Sequence, residues 1–235
     1  MTARSTLSTE DDMFDRWVAA RDPASRDVLE PLELSPRLTR LFAVAVCRDI
    51  WGLLTDERSR AAVEIAERHA DDRATIRERR VAYKAASDVY FGLCEMYGSD
   101  QRPEIAIPSL AASAARDAVD THARAGRAAD YAAATAGGGL AGGDRAGQRQ
   151  VRERQGRLLA AIVGPGYELL PAWHTLDAIA LAKTCYETKD WSIMPVLADA
   201  LQDAGCENDD VLDHCRGDGP FVRGDWVVDS LLGLS

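Results

Sequence analysis

The sequence predicts an all-α protein, and three observations carry the expectation. The 235 residues are 46% hydrophobic but only 6% aromatic, a balance rich in Ala, Leu, Arg and Glu that favours helices over strands. Apolar residues recur at three- and four-residue spacing along most of the chain, with no convincing alternating run. Prolines, glycines and small polar caps punctuate those runs where helices should start and stop. The expected architecture is one compact multi-helix domain over residues 1–235, with a C-terminal four-helix portion packed on long N-terminal helices. Its parts are a helical stretch of about 10–136, a Gly-rich loop 137–147 and a second helical stretch of about 148–235.

A short helix is expected over 10–21, carrying Phe14, Trp17 and Val18, and the proline-bearing stretch Asp22–Pro36 reads as a loop. Ser35 offers an N-cap with Pro36 at the first helical position. From there Leu38, Phe42, Val46, Ile50 and Leu53 keep helical spacing, and Leu41–Cys47 is apolar all round, as a central buried helix requires. Thr55 or Asp56 caps a helix striped by Ala62, Ile65, Ala66 and His69. A third long helix, 74–97, places Tyr83, Tyr90 and Tyr97 on one side, and a loop is expected from Gly98 to Pro108. Residues 109–136 are Ala-rich, which permits close helix approach, and Gly137–Gly143 reads as a mobile connector. Helices follow over 149–163, 175–188, 192–203, 208–216 and 222–232.

A net charge of −10 argues against nucleic-acid and anionic-membrane partners. The polar, acidic start has no apolar signal core, and the longest uninterrupted apolar run, Leu41–Cys47, is far short of a membrane span. A cytoplasmic protein is expected. Cys47, Cys94, Cys185, Cys206 and Cys215 are odd in number, widely spaced and without a CxxC pair, so they read as reduced thiols used as small hydrophobes.

Two segments are familiar. One is Arg37-Leu38-Thr39-Arg40-Leu41-Phe42-Ala43-Val44-Ala45-Val46-Cys47-Arg48-Asp49-Ile50-Trp51, running on through Leu54-Thr55-Asp56-Glu57-Arg58-Ser59-Arg60. The other starts at Pro195-Val196-Leu197-Ala198-Asp199-Ala200-Leu201, continues through His214-Cys215-Arg216-Gly217 and ends at Val222-Arg223-Gly224-Asp225-Trp226-Val227-Val228-Asp229. Together they resemble an uncharacterised bacterial family of helical proteins that reads "LRLFAVACCRxIW…LTDERSR…PILADALEDAGC…HCRGxGPHVRGCWVVD". The resemblance implies a helical fold and no particular activity. This chain departs from the pattern at Val46 (Cys in the pattern), Phe221 (His) and Asp225 (Cys). If the pattern's thiols and imidazoles form a cluster, part of it is lost here and a carboxylate is gained.

His214-Cys215, with Cys206 nearby, invites a metal reading. Adjacent helical residues point about 100° apart, however, and ligand pairs two to four residues apart are missing, so no metal is expected. No Gly-x-Ser-x-Gly elbow and no phosphate-binding Gly-Lys-Ser/Thr follow-on occur. The candidate site is Asp213–Asp229. Arg216 and Arg223 bracket the tight turn Gly217–Pro220 and would clamp an anionic group by charge-assisted hydrogen bonds. Asp225 and Asp229 share a helical face, so either is a candidate general base, and His214 titrates near neutrality in its ordinary state. The plainer reading is an ion-pair network of these arginines with Asp218, Asp225 or Asp229 that holds the last helix.

Two functions follow as expectations. One is a cofactor-independent enzyme, or a subunit of a homo- or hetero-oligomeric one, acting on a small anionic metabolite by elimination, intramolecular substitution or hydrolysis. The other is a non-catalytic helical scaffold that binds a protein partner. The first is favoured because an unpaired carboxylate at 225, beside Trp226, Val227 and Val228, would cost several kcal/mol, so Asp225 is paired or functional.

Overall fold

In a computed structural model of the chain, residues 34–97, 103–121, 124–136, 145–166 and 168–234 are described. The expected helix over 10–21, His122 and the Gly-rich run 137–143 lie outside them. Ten helices span the described residues, which contain no strand, as the composition led one to expect. They are α1 Pro36–Asp49, α2 Glu57–Ala70, α3 Ile76–Tyr97, α4 Pro103–Val119, α5 Ala125–Ala136, α6 Arg145–Val163, α7 Leu176–Thr188, α8 Met194–Asp203, α9 Asp209–Arg216 and α10 Trp226–Leu232. No described helix is long and apolar enough to cross a membrane. The described residues form two compact units, one up to Gly156 and one from Arg157 onward.

In the first unit, Ser35 accepts from the backbone N–H of Leu38 and Pro36 opens α1, as the cap pattern implied. Leu41 through Cys47 are all buried. Full burial of Leu41 and Phe42 contributes roughly 1.5–3 kcal/mol each. Helix α4 is an equal centre, because it packs on α1, α2, α3 and α5. Its alanines 111, 114, 115 and 118 and the α5 alanines 128, 129, 132 and 133 are buried, and methyl-sized side chains let the backbones approach.

The Ala-rich stretch falls in two helices, and the first of them begins inside the loop expected from Gly98 to Pro108. Helix α4 starts at Pro103, runs through Pro108 and stops at Val119. Two buried arginines end it. Arg40 donates to the carbonyls of Ala118 (3.1 Å), Asp120 (2.8 Å) and Thr121 (3.1 Å). Arg79 donates to the carbonyl of Val119 and to Thr121 Oγ1, both at 3.1 Å. Guanidinium groups thus satisfy the carbonyls that a helix end leaves without partners. Burial first, and the Arg79 charge second, lower Arg40 to about 10. Beside them, buried Asp117 pairs with Arg116 (3.2 Å) and Arg127 (3.1 Å).

The second unit closes around a core that includes Cys185, Met194, Leu197, Leu201, Val211 and Val227. Helix α7 packs on α8 and α10, and α8 on α9. Thr175 caps α7 and Asn208 caps α9, each accepting a backbone N–H three residues on. His174, just ahead of α7, reaches the end of α10, with Nδ1 3.1 Å from the Leu170 carbonyl and Nε2 3.3 Å from that of Ser230. All five cysteines are free thiols, and only Cys94 is more than marginally accessible.

Candidate functional site

Helix α9 ends at Arg216, where the Gly217 N–H bonds to the His214 carbonyl. The chain then turns through Gly219 (φ 74°), a cis Gly219–Pro220 bond and Gly224 (φ 90°) before α10. At Gly219 the left-handed φ and the nearness of the Phe221 backbone, 2.7 Å from where a Cβ would stand, both require glycine. The last helix was expected from 222. It starts at 226 because Asp225, with φ −54° and ψ 127°, is its N-cap. Asp225 Oδ1 accepts from the N–H groups of Val227 (3.1 Å) and Val228 (3.3 Å).

The other oxygen, Oδ2, lies 2.8 Å from His214 Nε2, and Asp225 is fully buried. A carboxylate only accepts, so Nε2 carries the hydrogen and Nδ1 is the basic nitrogen of the neutral ring. The imidazole also meets Phe221 edge-on at 5.6 Å between centroids and Trp226 at 5.4 Å. His214 is half-buried and lines a cleft of about 660 Å³ with Arg157, Ala161, Asp210, Asp213 and Trp226, while Asp218 and Pro220 lie along the turn side. The wall at Trp226 is fixed by a close approach. Gly164 (φ 63°) leaves room for the indole, and a Cβ there would stand 2.5 Å from Trp226 Cγ.

The structure brings His214 and Asp225 together. Asp229 is buried one turn along α10, where its N–H bonds to the Asp225 carbonyl, and it does not line the cleft. The arginines are held elsewhere. Arg216 donates to Asp199 Oδ1 (2.9 Å) and Gln202 Oε1 (2.7 Å) on α8, and Arg223 stacks over the Tyr186 ring at 4.8 Å. Neither lines the cleft, whose cation is Arg157.

Cys215 is no nucleophile in this state. Burial first, and the Asp225 carboxylate second, push its thiol far up, and a protonated buried thiol is inert. Cys185 is pushed up to about 11, chiefly by burial. Among the described residues no group of three or more His, Cys, Asp or Glu gathers as a metal ion would need.

Sequence reasoning missed Arg157, Asp210 and the Gly164–Trp226 contact. Asp210, Asp213 and His214 fall at i, i+3 and i+4, one face of α9, so part of the cleft was open to a helical-face reading. Arg157 belongs to α6, and nothing in the local pattern links it to α9.

The fold and site define an all-α protein with a buried aspartate paired to a half-buried histidine on the wall of a cleft. No family model matches the chain, and no curated protein or solved structure matches it either.

Proposed function

We propose that the cleft of the second unit is the active site of a cofactor-independent enzyme, or of one subunit of such an enzyme. His214 moves the proton, and Asp225 is the positioning residue behind it. One observation carries this reading: a fully buried carboxylate holds a cleft-lining imidazole at 2.8 Å and thereby selects its tautomer. That arrangement suits elimination, intramolecular substitution or hydrolysis, each of which needs a base and then an acid at one position.

The substrate is a small polar metabolite whose acidic group is met by Arg157. That residue takes over the anion-binding role expected of Arg216 and Arg223. Asp210, Asp213 and Asp218 give the lining three carboxylates against one guanidinium, which favours a single acidic group accompanied by hydroxyl or amino groups over a polyanion.

The test is to incubate the protein with a defined pool of small hydroxy, amino and carboxylic acids and follow depletion by mass spectrometry. A compound consumed by the parent protein but spared by His214→Ala and Asp225→Asn, at equal folded fraction, supports the reading. Consumption that survives both substitutions, or no consumption of any compound, sinks it.

A further inference from the structure

Helix α3 presents an outer face in the first unit that the proposed enzymatic site does not use. Ile76 is 59% exposed and Val81 63%, and with Ala85 they share a surface with Arg77, Arg80, Lys84 and Asp88. Helical spacing places 76, 80 and 84 on one line and 77, 81, 84 and 88 on the next. Arg80, Lys84 and Arg77 therefore project between Ile76 on one side and Val81 on the other. Lys84 is paired with Asp88 at 2.9 Å, whereas Arg77 and Arg80 make no hydrogen bond or ion pair among the described residues. Three cations against one anion thus gather on one face of a chain whose net charge is −10.

We infer that this face docks an acidic, amphipathic helix of a protein partner. Charge complementarity sets the sign of the partner, and the two exposed aliphatic side chains set its form. A helix offers carboxylates and apolar residues at the matching three- and four-residue spacing. A lipid surface fits less well, because an interfacial helix places its apolar residues in the middle of the buried face and its cations at the edges, the reverse of the order here. A nucleic acid would approach a strongly acidic chain and leave Ile76 and Val81 uncovered.

The experiment uses the full chain and a fluorescein-labelled helical peptide with Leu at i and i+4 flanked by Glu. A second peptide carries Lys in place of each Glu. Fluorescence anisotropy should show the Glu peptide binding at least about tenfold more tightly than the Lys peptide, and weakening as salt rises. Arg77→Glu with Arg80→Glu, and separately Val81→Asp, should each reduce that affinity by about tenfold or more. The positions are exposed, and unchanged thermal melts show that the variants are folded. Equal binding of the two peptides, or affinity indifferent to the substitutions, overturns the proposal. So does tighter binding to phosphatidylserine vesicles than to the peptide. Self-association in sedimentation that the same substitutions abolish would give the face to a second copy, and that also overturns it.

Discussion

His214 and Asp225 are joined at 2.8 Å through one carboxylate oxygen while the other oxygen caps the helix that follows. One side chain thus sets both the start of α10 and the tautomer of the imidazole. Substitutions at 225 can separate the two roles, since Asn and Ser cap helices about as well as Asp.

Asp225→Asn should melt within a few degrees of the parent, because its amide oxygen still accepts from Val227 and Val228. Its NH2 group would face His214 and donate, which forces the hydrogen from Nε2 to Nδ1. Nitrogen-15 NMR of the ring should report that exchange, and any turnover should fall by orders of magnitude, as is usual when a base has the wrong tautomer. An unchanged Nε2–H signal in the variant would show that the carboxylate does not set the tautomer.

Gly164→Ala should be destabilising by roughly 1–3 kcal/mol, since it adds a methyl into Trp226 and forces a left-handed residue to carry a Cβ. The same variant should shift tryptophan fluorescence. A stable variant with a parental spectrum would mean that the indole has room to move and that the cleft wall is not rigid there.

Arg216→Ala should change stability by less than about 1 kcal/mol, because its ion pair with Asp199 is solvent-exposed on both sides. Ligand binding in the cleft should be untouched. A variant that folds normally but loses binding would return Arg216 to the site where the sequence first suggested it.

Arg40→Lys should be nearly as damaging as Arg40→Ala, despite keeping the charge. An ammonium cannot span the three carbonyls of Ala118, Asp120 and Thr121, and each carbonyl left without a donor costs roughly 1–3 kcal/mol. Chemical denaturation of both variants decides this, and full rescue by lysine would refute a geometric role.

Three buried thiols make stability fall in alkali. Burial raises Cys47, Cys185 and Cys215 in the folded chain, Cys185 to about 11 and the others further. Unfolded thiols release their protons from about pH 8.5. The stabilisation is therefore complete below that pH, and it falls away progressively from there until pH passes the folded-state values. Each thiol adds a slope of at most about 1.4 kcal/mol per pH unit. Replacing all three by Ala should flatten the loss between pH 8 and 10, and an equal slope in the replaced protein would rule this origin out.

The helical architecture was legible because it rests on local signals: Ser35-Pro36, the all-apolar run Leu41–Cys47, and Asn208 before α9. The end of α4 at Val119 was only half legible: Asp120 and Thr121 are weak helix formers, but the guanidinium groups that meet its last carbonyls, Arg40 and Arg79, come from distant helices. At the site, the need for a partner at Asp225 was readable from its apolar neighbours, but the identity of that partner was not. His214 reaches it through a turn whose course depends on the left-handed Gly219 and Gly224. The contacts of the two arginines were hidden for a related reason. Sequence proximity to the turn says nothing about a long side chain that reaches back to α8 or lies over Tyr186.

The alanine layer between α4 and α5 has a further consequence. Two faces of methyl groups are nearly smooth, so sliding one helix along the other by a turn would bury almost the same area and cost little packing. Dispersion holds such a pair together without telling it where to stop. The stop comes from a polar pair at its margin, Asp117 on α4 and Arg127 on α5 at 3.1 Å, while the guanidinium of Arg40 fixes the end of α4 against α1. In this unit the greasy surface supplies the cohesion, and a handful of buried charges choose the register.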